Sequence, residues 1–218
     1  MSEVGVTDVR DFDTSGDLSQ AVSALRSGGV VVHPTETVYG FGGSLEPRAV
    51  AAVQHLKRRD ASRPLLVLVS SQKTVDDLVW TDAARELARA FWPGGVTLVL
   101  GDPDRAFPDG VRSPAGGVAV RRPSHPVAAG LVEAFGAPMT STSANAPGRA
   151  PATSGQEALE VALAMRPLGS VHLLDAGTLP SSPPSTIVDC TGEAPRVLRE
   201  GSTPISRIRS VVPDVTHG

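Results

Sequence analysis

Hydroxyl and amide groups crowd into MTSTSANAPG, Met139 to Gly148. Thr140, Ser141, Thr142, Ser143 and Asn145 sit there at the end of a segment that otherwise reads as a strand. Such groups donate and accept hydrogen bonds, and a hydroxyl becomes a nucleophile only beside an activating base. A plain reading makes them caps and side-chain-to-backbone turns. In HPTETVYGFGG, His33 to Gly43, Thr35, Glu36, Thr37 and Tyr39 precede Gly40, Gly42 and Gly43. Glycines allow close approach of backbone to a ligand. The stretch is neither a Walker loop nor a GxGxxG fingerprint, and an ordinary strand-to-turn link is its plain reading. KRRDASRP, Lys57 to Pro64, holds Lys57, Arg58, Arg59 and Arg63 within seven positions. Lys57 and Arg58 suit a solvated helix C-terminus. Arg63 lies past that helix, and cations converging ahead of a buried strand suit a triphosphate. In GVAVRRP, Arg121 alternates with Val118 and Val120. It is either on an exposed edge strand or paired with an anion, since an unpaired buried guanidinium is costly. Ser185 and Arg199 mark the ends of two later strands.

These clusters are rich in donors and poor in nucleophiles. The five histidines, at 33, 55, 125, 172 and 217, show neither HExxH nor paired metal-ligand spacing, and most read as surface or capping residues. Cys190 is the single cysteine, which excludes an internal disulfide and a CxxC zinc site. It falls in a buried-strand pattern and reads as packing. No metal site is expected. A site of this kind works by positioning and charge stabilisation, as phosphoryl and nucleotidyl transfer require.

Helical and strand patterns alternate along the chain to hold these groups. LSQAVSALRSGG, PRAVAAVQHLKRR, DAARELARAFW, HPVAAGLVEAFG and SGQEALEVALAM read as helices, the last opening on a Ser154-x-x-Glu157 capping box. TPISRIRSVV reads as a final helix with Pro204 at its first position. VVVHP, PLLVLVS, VTLVLG, GVAVRRP, PMTSTSA, VHLLDAG, STIVDCT and RVLREG read as strands. STIVDCT and RVLREG are too close for a helical crossover and should be antiparallel. An α/β fold on a mixed sheet follows. The chain has 218 residues, 40% of them hydrophobic, which favours one domain over 1–218. The PSSPPS loop, Pro180 to Ser185, is too short for a domain linker and is placed to serve as a flap over a site. Net charge is -3, against a global nucleic-acid or membrane signature. The basic charge is nonetheless mostly arginine, Lys57 and Lys73 being the only lysines. With no signal-peptide pattern and no membrane-length apolar run, a cytoplasmic location is expected.

Seven blocks then occur in one order: GGVVVHPTETVYGFGG, LKRRDASRPLLVLV, FWPGGVTLVL, VAVRRPSHP, STSANAPGRAPATS, STIVDC and VLREGS. In that order, from about Gly28 to Gly201, the chain resembles the YrdC/Sua5 family of L-threonylcarbamoyladenylate synthases. The resemblance is to the short, single-domain form. It implies a twisted open mixed sheet with flanking helices and a concave basic face. It also implies a reaction in which L-threonine, bicarbonate and ATP, with Mg2+ on its phosphates, give threonylcarbamoyladenylate and pyrophosphate. The product would pass to the proteins that transfer the threonylcarbamoyl group to position 37 of tRNA. The family's Lys-x-Arg pair matches Lys57 and Arg59, and its Ser-x-Asn pair matches Ser143 and Asn145, implying catalytic roles for these four. By the same resemblance Thr35, Thr37, Arg121, Ser141 and Ser185 bind threonine, Arg121 through its carboxylate. Arg59, Arg63, Ser143 and Arg199 would hold ATP.

Three positions depart from the family pattern. Asp60 and Glu200 replace prolines, and Leu68 stands where longer members often have a histidine near threonine. Glu200 either weakens the pull of Arg199 on phosphate or points away. Three other functions compete with the synthase. A double-stranded RNA or tRNA-binding module of the same fold lacks support from net charge or from an aromatic array, aromatics being 4% of the chain. A hydrogenase-maturation paralogue would need acylphosphatase and zinc-finger regions. A non-catalytic sensor is opposed by the retained Lys57/Arg59 and Ser143/Asn145 pairs.

Overall fold

The computed structural model of the chain describes residues 4–9, 17–57, 63–165 and 171–218. Eleven strands among them form one sheet: β1 (Val4–Asp8), β2 (Val30–Pro34), β3 (Tyr39–Gly42), β4 (Leu66–Leu68), β5 (Val96–Gly101), β6 (Gly117–Arg121), β7 (Met139–Ser143), β8 (Val171–Asp175), β9 (Thr186–Asp189), β10 (Arg196–Arg199) and β11 (Thr216–His217). Their order is β1-β8-β2-β3-β7-β4-β6-β5-β9-β10-β11. Parallel pairs such as β2 with β8 and β4 with β6 mix with antiparallel ones such as β2 with β3 and β5 with β6. β9 and β10 run antiparallel, as their close spacing requires.

Six α-helices among the described residues flank the sheet: α1 (Ser19–Arg26), α2 (Pro47–Leu56), α3 (Asp82–Phe91), α4 (Pro126–Phe135), α5 (Gly155–Met165) and α6 (Ile205–Arg209). Several start or stop for a local reason. Proline occupies the first helical position of α2 and α4. Thr81 caps α3 by accepting the Ala84 amide. α4 ends at Gly136, whose φ of 76° is left-handed. At α5, Ser154 Oγ accepts the Glu157 amide, but the Glu157 carboxylate reaches back to Thr153 N and Oγ1, one residue before the expected partner. At α6, Pro204 takes the capping position rather than the first helical one.

Strand alternation divides the buried side chains between two faces. Val30, Val32, Val67, Val69, Val96, Leu98, Val118, Val120 and Val188 point to the face covered by α2, α3 and α5. Val31, Leu68, Met139 and Leu174 point to the other, where α1 and α4 pack through Leu25, Leu131 and Val132. Helices α1 and α4 cover the second face near β2 and β8. Further along, the same face of β6, β5 and β9 presents Ala119, Arg121, Thr97 and Ile187 to a cavity. No described helix is long and apolar enough to cross a membrane.

Candidate functional site

A cavity of about 630 Å³ lies over this uncovered face. Thr35 and Thr37 enter from the β2–β3 link, Ser141, Thr142 and Ser143 from β7, Arg121 from β6, and Ser185 and Arg199 from the region of β9 and β10. Ser141 and Ser143 follow Met139 along the second face to where its helix cover gives out, while the Thr140 hydroxyl instead bonds the Gly43 backbone. Ser182 and Pro184 also line the cavity, so the PSSPPS loop borders it. Leu68 lines it too, at 1% exposure.

Arg121 is buried, at 4% exposure, in an interior strand between β4 and β5. The exposed-edge alternative is thereby overturned. Its Nη2 donates to Glu36 Oε2. The other oxygen of Glu36 accepts from the backbone N–H and hydroxyl of Ser124 and from the His125 N–H. Glu36 is thus clamped at the start of α4 by Ser124 and His125 while it faces Arg121. Arg121 Nε is buried and has no hydrogen-bond partner among the described residues. Burial, with the charge of Arg199 adding, lowers the Arg121 pKa to about 10, so it remains cationic at neutral pH. Burial lowers Arg199 as well. Arg199 Nε and Nη2 both donate to the Ser185 carbonyl. Ser185 Oγ lies 3.0 Å from Thr97 Oγ1. Glu200 turns away from Arg199 and accepts the Ile205 amide, capping α6.

Lys57 corrects the solvated-terminus reading. It is buried, and its Nζ donates to the Ser143 carbonyl, the Asn145 carbonyl and Asn145 Oδ1, each at 2.7 Å. Ser143 Oγ donates to the same Oδ1 at 2.6 Å. Asn145 Nδ2 in turn donates to the Ala146 and Arg149 carbonyls. Lys57, Ser143 and Asn145 therefore form one hydrogen-bonded unit although 86 residues separate the first two. Arg63 is exposed, next to the lining residue Pro64. Arg59 and Asp60 lie outside the described residues.

The HPTETVYGFGG stretch departs from its strand-to-turn reading. Tyr39–Gly42 is an interior strand between β2 and β7. Tyr39 is fully buried, and its hydroxyl donates to the Gly177 carbonyl and accepts the Ala176 amide. A Cβ on Gly42 would stand 2.7 Å from the Thr140 carbonyl oxygen and closer still to Met139 Cε, so this glycine admits the neighbouring strand rather than a ligand. Thr35 Oγ1 donates to the Val38 carbonyl and accepts the amides of Thr37 and Val38, closing the turn that presents Thr37.

His33 and His172 are buried and so fall outside the surface or capping roles expected of most histidines. His33 Nδ1 lies 3.2 Å from the Pro34 carbonyl oxygen, which can only accept. Nδ1 therefore carries the proton, and Nε2 accepts from Ser141 Oγ at 3.3 Å. Burial drives the His33 pKa down to about 4. Cys190 is buried, and burial raises its thiol to about 12, which fits packing. The residues that sequence reasoning overlooked are Glu36, His33 and Thr97. Each acts through a partner distant along the chain, and no local pattern announces that.

The Sua5/YciO/YrdC family, described as telomere recombination, matches residues 23–201. A relative from Mycobacterium tuberculosis (strain ATCC 25618 / H37Rv) is 41% identical over 204 residues, 91% of this chain and 90% of its own length. The threonylcarbamoyl-AMP synthase of Bacillus subtilis (strain 168) is 32% identical over 210 residues, 94% of this chain and 60% of the synthase. The crystal structure of P. abyssi Sua5 complexed with L-threonine superposes with a TM-score of 0.87 at 30% identity, covering 100% of this chain. The chain spans 63% of the length of that Sua5. By sequence and by fold, the chain belongs to the Sua5/YciO/YrdC family.

Proposed function

We propose that this chain is an L-threonylcarbamoyladenylate synthase, a nucleotidyltransferase acting as a single domain over 1–218. The observation that carries this reading is Arg121. It is a buried guanidinium facing an uncovered cavity, with one N–H bound to no described residue and hydroxyls of Thr37, Ser141 and Ser185 lining the same cavity. A small amino acid with a carboxylate and a hydroxyl fits that donor set. The threonine-bound Sua5 structure and the family's curated synthases support it.

In this reading the threonine nitrogen attacks bicarbonate and water is lost, leaving a carbamate on threonine. A carbamate oxygen then attacks the α-phosphorus of ATP, the bond to the β-phosphate oxygen breaks, and pyrophosphate leaves. Arg121 holds the threonine carboxylate, with Thr37, Ser141 and Ser185 around the side chain and Thr35 shaping the turn. Arg199, Arg59 and Arg63 supply positive charge to the triphosphate. Lys57 locks Ser143 and Asn145 into the arrangement that receives the nucleotide and adds its own charge there. The described residues contain no group of three His, Cys, Asp or Glu suited to a metal. In this reading Mg2+ would enter on the ATP phosphates, and no step is assigned to it. The product would serve the proteins that modify tRNA.

The test is pyrophosphate release by the purified chain from ATP with Mg2+ and bicarbonate, with and without L-threonine. Threonine-dependent release with an adenylate product is expected. No release, together with salt-sensitive retention of RNA, would replace this reading with the RNA-binding one.

A further inference from the structure

A second cleft, of about 370 Å³, lies apart from the threonine cavity and shares no lining residue with it. Its position follows from topology. Strands β4 and β6 are parallel neighbours, with Leu68 beside Arg121 at their carboxyl ends. From β4 the chain leaves through Ser71 and Gln72 toward α3, on the first face of the sheet. From β6 it leaves through Arg122 toward α4, on the second face. Adjacent parallel strands whose onward connections part to opposite faces open a crevice beyond their carboxyl ends, where ligands of open α/β sheets commonly bind. Ser71, Gln72 and Arg122 line this crevice, and α3 closes it with Arg85, Arg89 and Trp92.

Three guanidinium groups therefore meet at one crevice, and no carboxylate among the described residues lines it. None of the three takes part in an ion pair among the described residues, whose pairs all involve other cations. Arg85 lies 5.9 Å over the Trp80 ring, and Arg85 and Arg89 stand one turn apart on α3. Like charges gathered without a counter-charge repel, and a bound anion relieves that repulsion. Guanidinium matches the oxygens of phosphate in a paired geometry that a lysine cannot offer.

We propose that this cleft is a second anion site, one that takes a phosphate group. The phosphate belongs either to a small polyphosphate such as pyrophosphate or to an RNA strand, whose neighbouring base would stack on Trp92.

The chain supplies its own reporter. Its only two tryptophans are Trp80 and Trp92, in edge-to-face contact with centroids 5.9 Å apart, and neither lines the threonine cavity. Tryptophan fluorescence of the whole chain is titrated with pyrophosphate, and separately with a short single-stranded RNA, at constant ionic strength set with chloride. A saturable change is expected. Its apparent Kd should rise about tenfold or more in Arg85→Ala/Arg89→Ala and in Arg122→Ala, the loss of a charge-assisted contact. It should be unchanged in Arg48→Ala, an exposed arginine that lines neither cavity. All three cleft arginines are exposed, and circular dichroism verifies that each variant folds. A response to pyrophosphate with this pattern supports the site and assigns a small anion to it. A response to RNA alone with this pattern supports the site and assigns the phosphate to a polynucleotide. No saturable response to either probe, or one that survives all three arginine losses, overturns the proposal.

Discussion

Glu36 shows how one side chain prepares another. Two backbone amides and a hydroxyl fix one carboxylate oxygen, so the other stands in a set place and Arg121 is drawn to it. Glu36→Gln keeps the shape and can still accept the Ser124 and His125 amides, but removes the charge opposite Arg121. Threonine KM is expected to rise by about tenfold, the scale of one charge-assisted hydrogen bond. ATP KM should move little, and steady-state kinetics with each substrate varied in turn reads the difference. Lys57 is a different case, because its ammonium binds Ser143 and Asn145 together. Lys57→Ala leaves those carbonyls without their buried donor, and Arg59→Ala removes a proposed phosphate contact. Each is expected to lower threonine-dependent pyrophosphate release about tenfold or more. Wild-type turnover in either variant would remove that residue from the site.

At the level of elements, the β3–β7 pairing decides where the hydroxyls stand. Gly40 pairs with Ser143 and Phe41 with Thr142, so any shift of β3 moves the polar end of β7. Gly42 permits that fit. Gly42→Ala places a methyl against the Thr140 carbonyl and Met139, and should cost about 1–3 kcal/mol, the usual penalty of overpacking. Thermal or urea denaturation measures it, and an unaltered midpoint would show that β7 yields without cost. The Lys57 link works at the same level, tying the C-terminal end of α2 to the turn after β7. The helices themselves were legible from local signals, namely proline at the start of α2 and α4 and glycine at the end of α4. β3 was not, since a glycine-rich four-residue strand has neither length nor alternation to reveal it.

For the molecule as a whole, folding traps His33 as a neutral imidazole. Its pKa falls from 6.5 to about 4 on burial. Between those values the unfolded chain binds a proton that the folded chain refuses, so stability declines as pH drops from 6.5 toward 4 and this contribution levels off below it. The decline is worth about 3 kcal/mol. Urea denaturation across that pH range measures it for the wild type. His33→Gln should show a shallower dependence, and an equal slope in both would discharge His33 from the effect. The two-faced sheet is the other whole-molecule feature. One face is filled by α2, α3 and α5. The other is helix-covered near β2 and β8, and beyond them its strands line the candidate site.

The sequence by itself determined the alternation of helices and strands, the mixed sheet, the antiparallel β9–β10 pair and the membership of the polar clusters. Those features rest on periodicity, chain reversal distance and side-chain chemistry, all local properties. Ser141, Arg121, Ser185 and Arg199 do meet at one cavity. Only the tertiary structure decided which groups answer one another. The partner of Arg121 is a glutamate 85 residues away, and the partners of Lys57 are Ser143 at the end of β7 and Asn145 just after it. Burial, moreover, decided the state of His33. Long-range pairing and desolvation depend on which surfaces close over a group, and neither is written in the spacing of neighbouring residues.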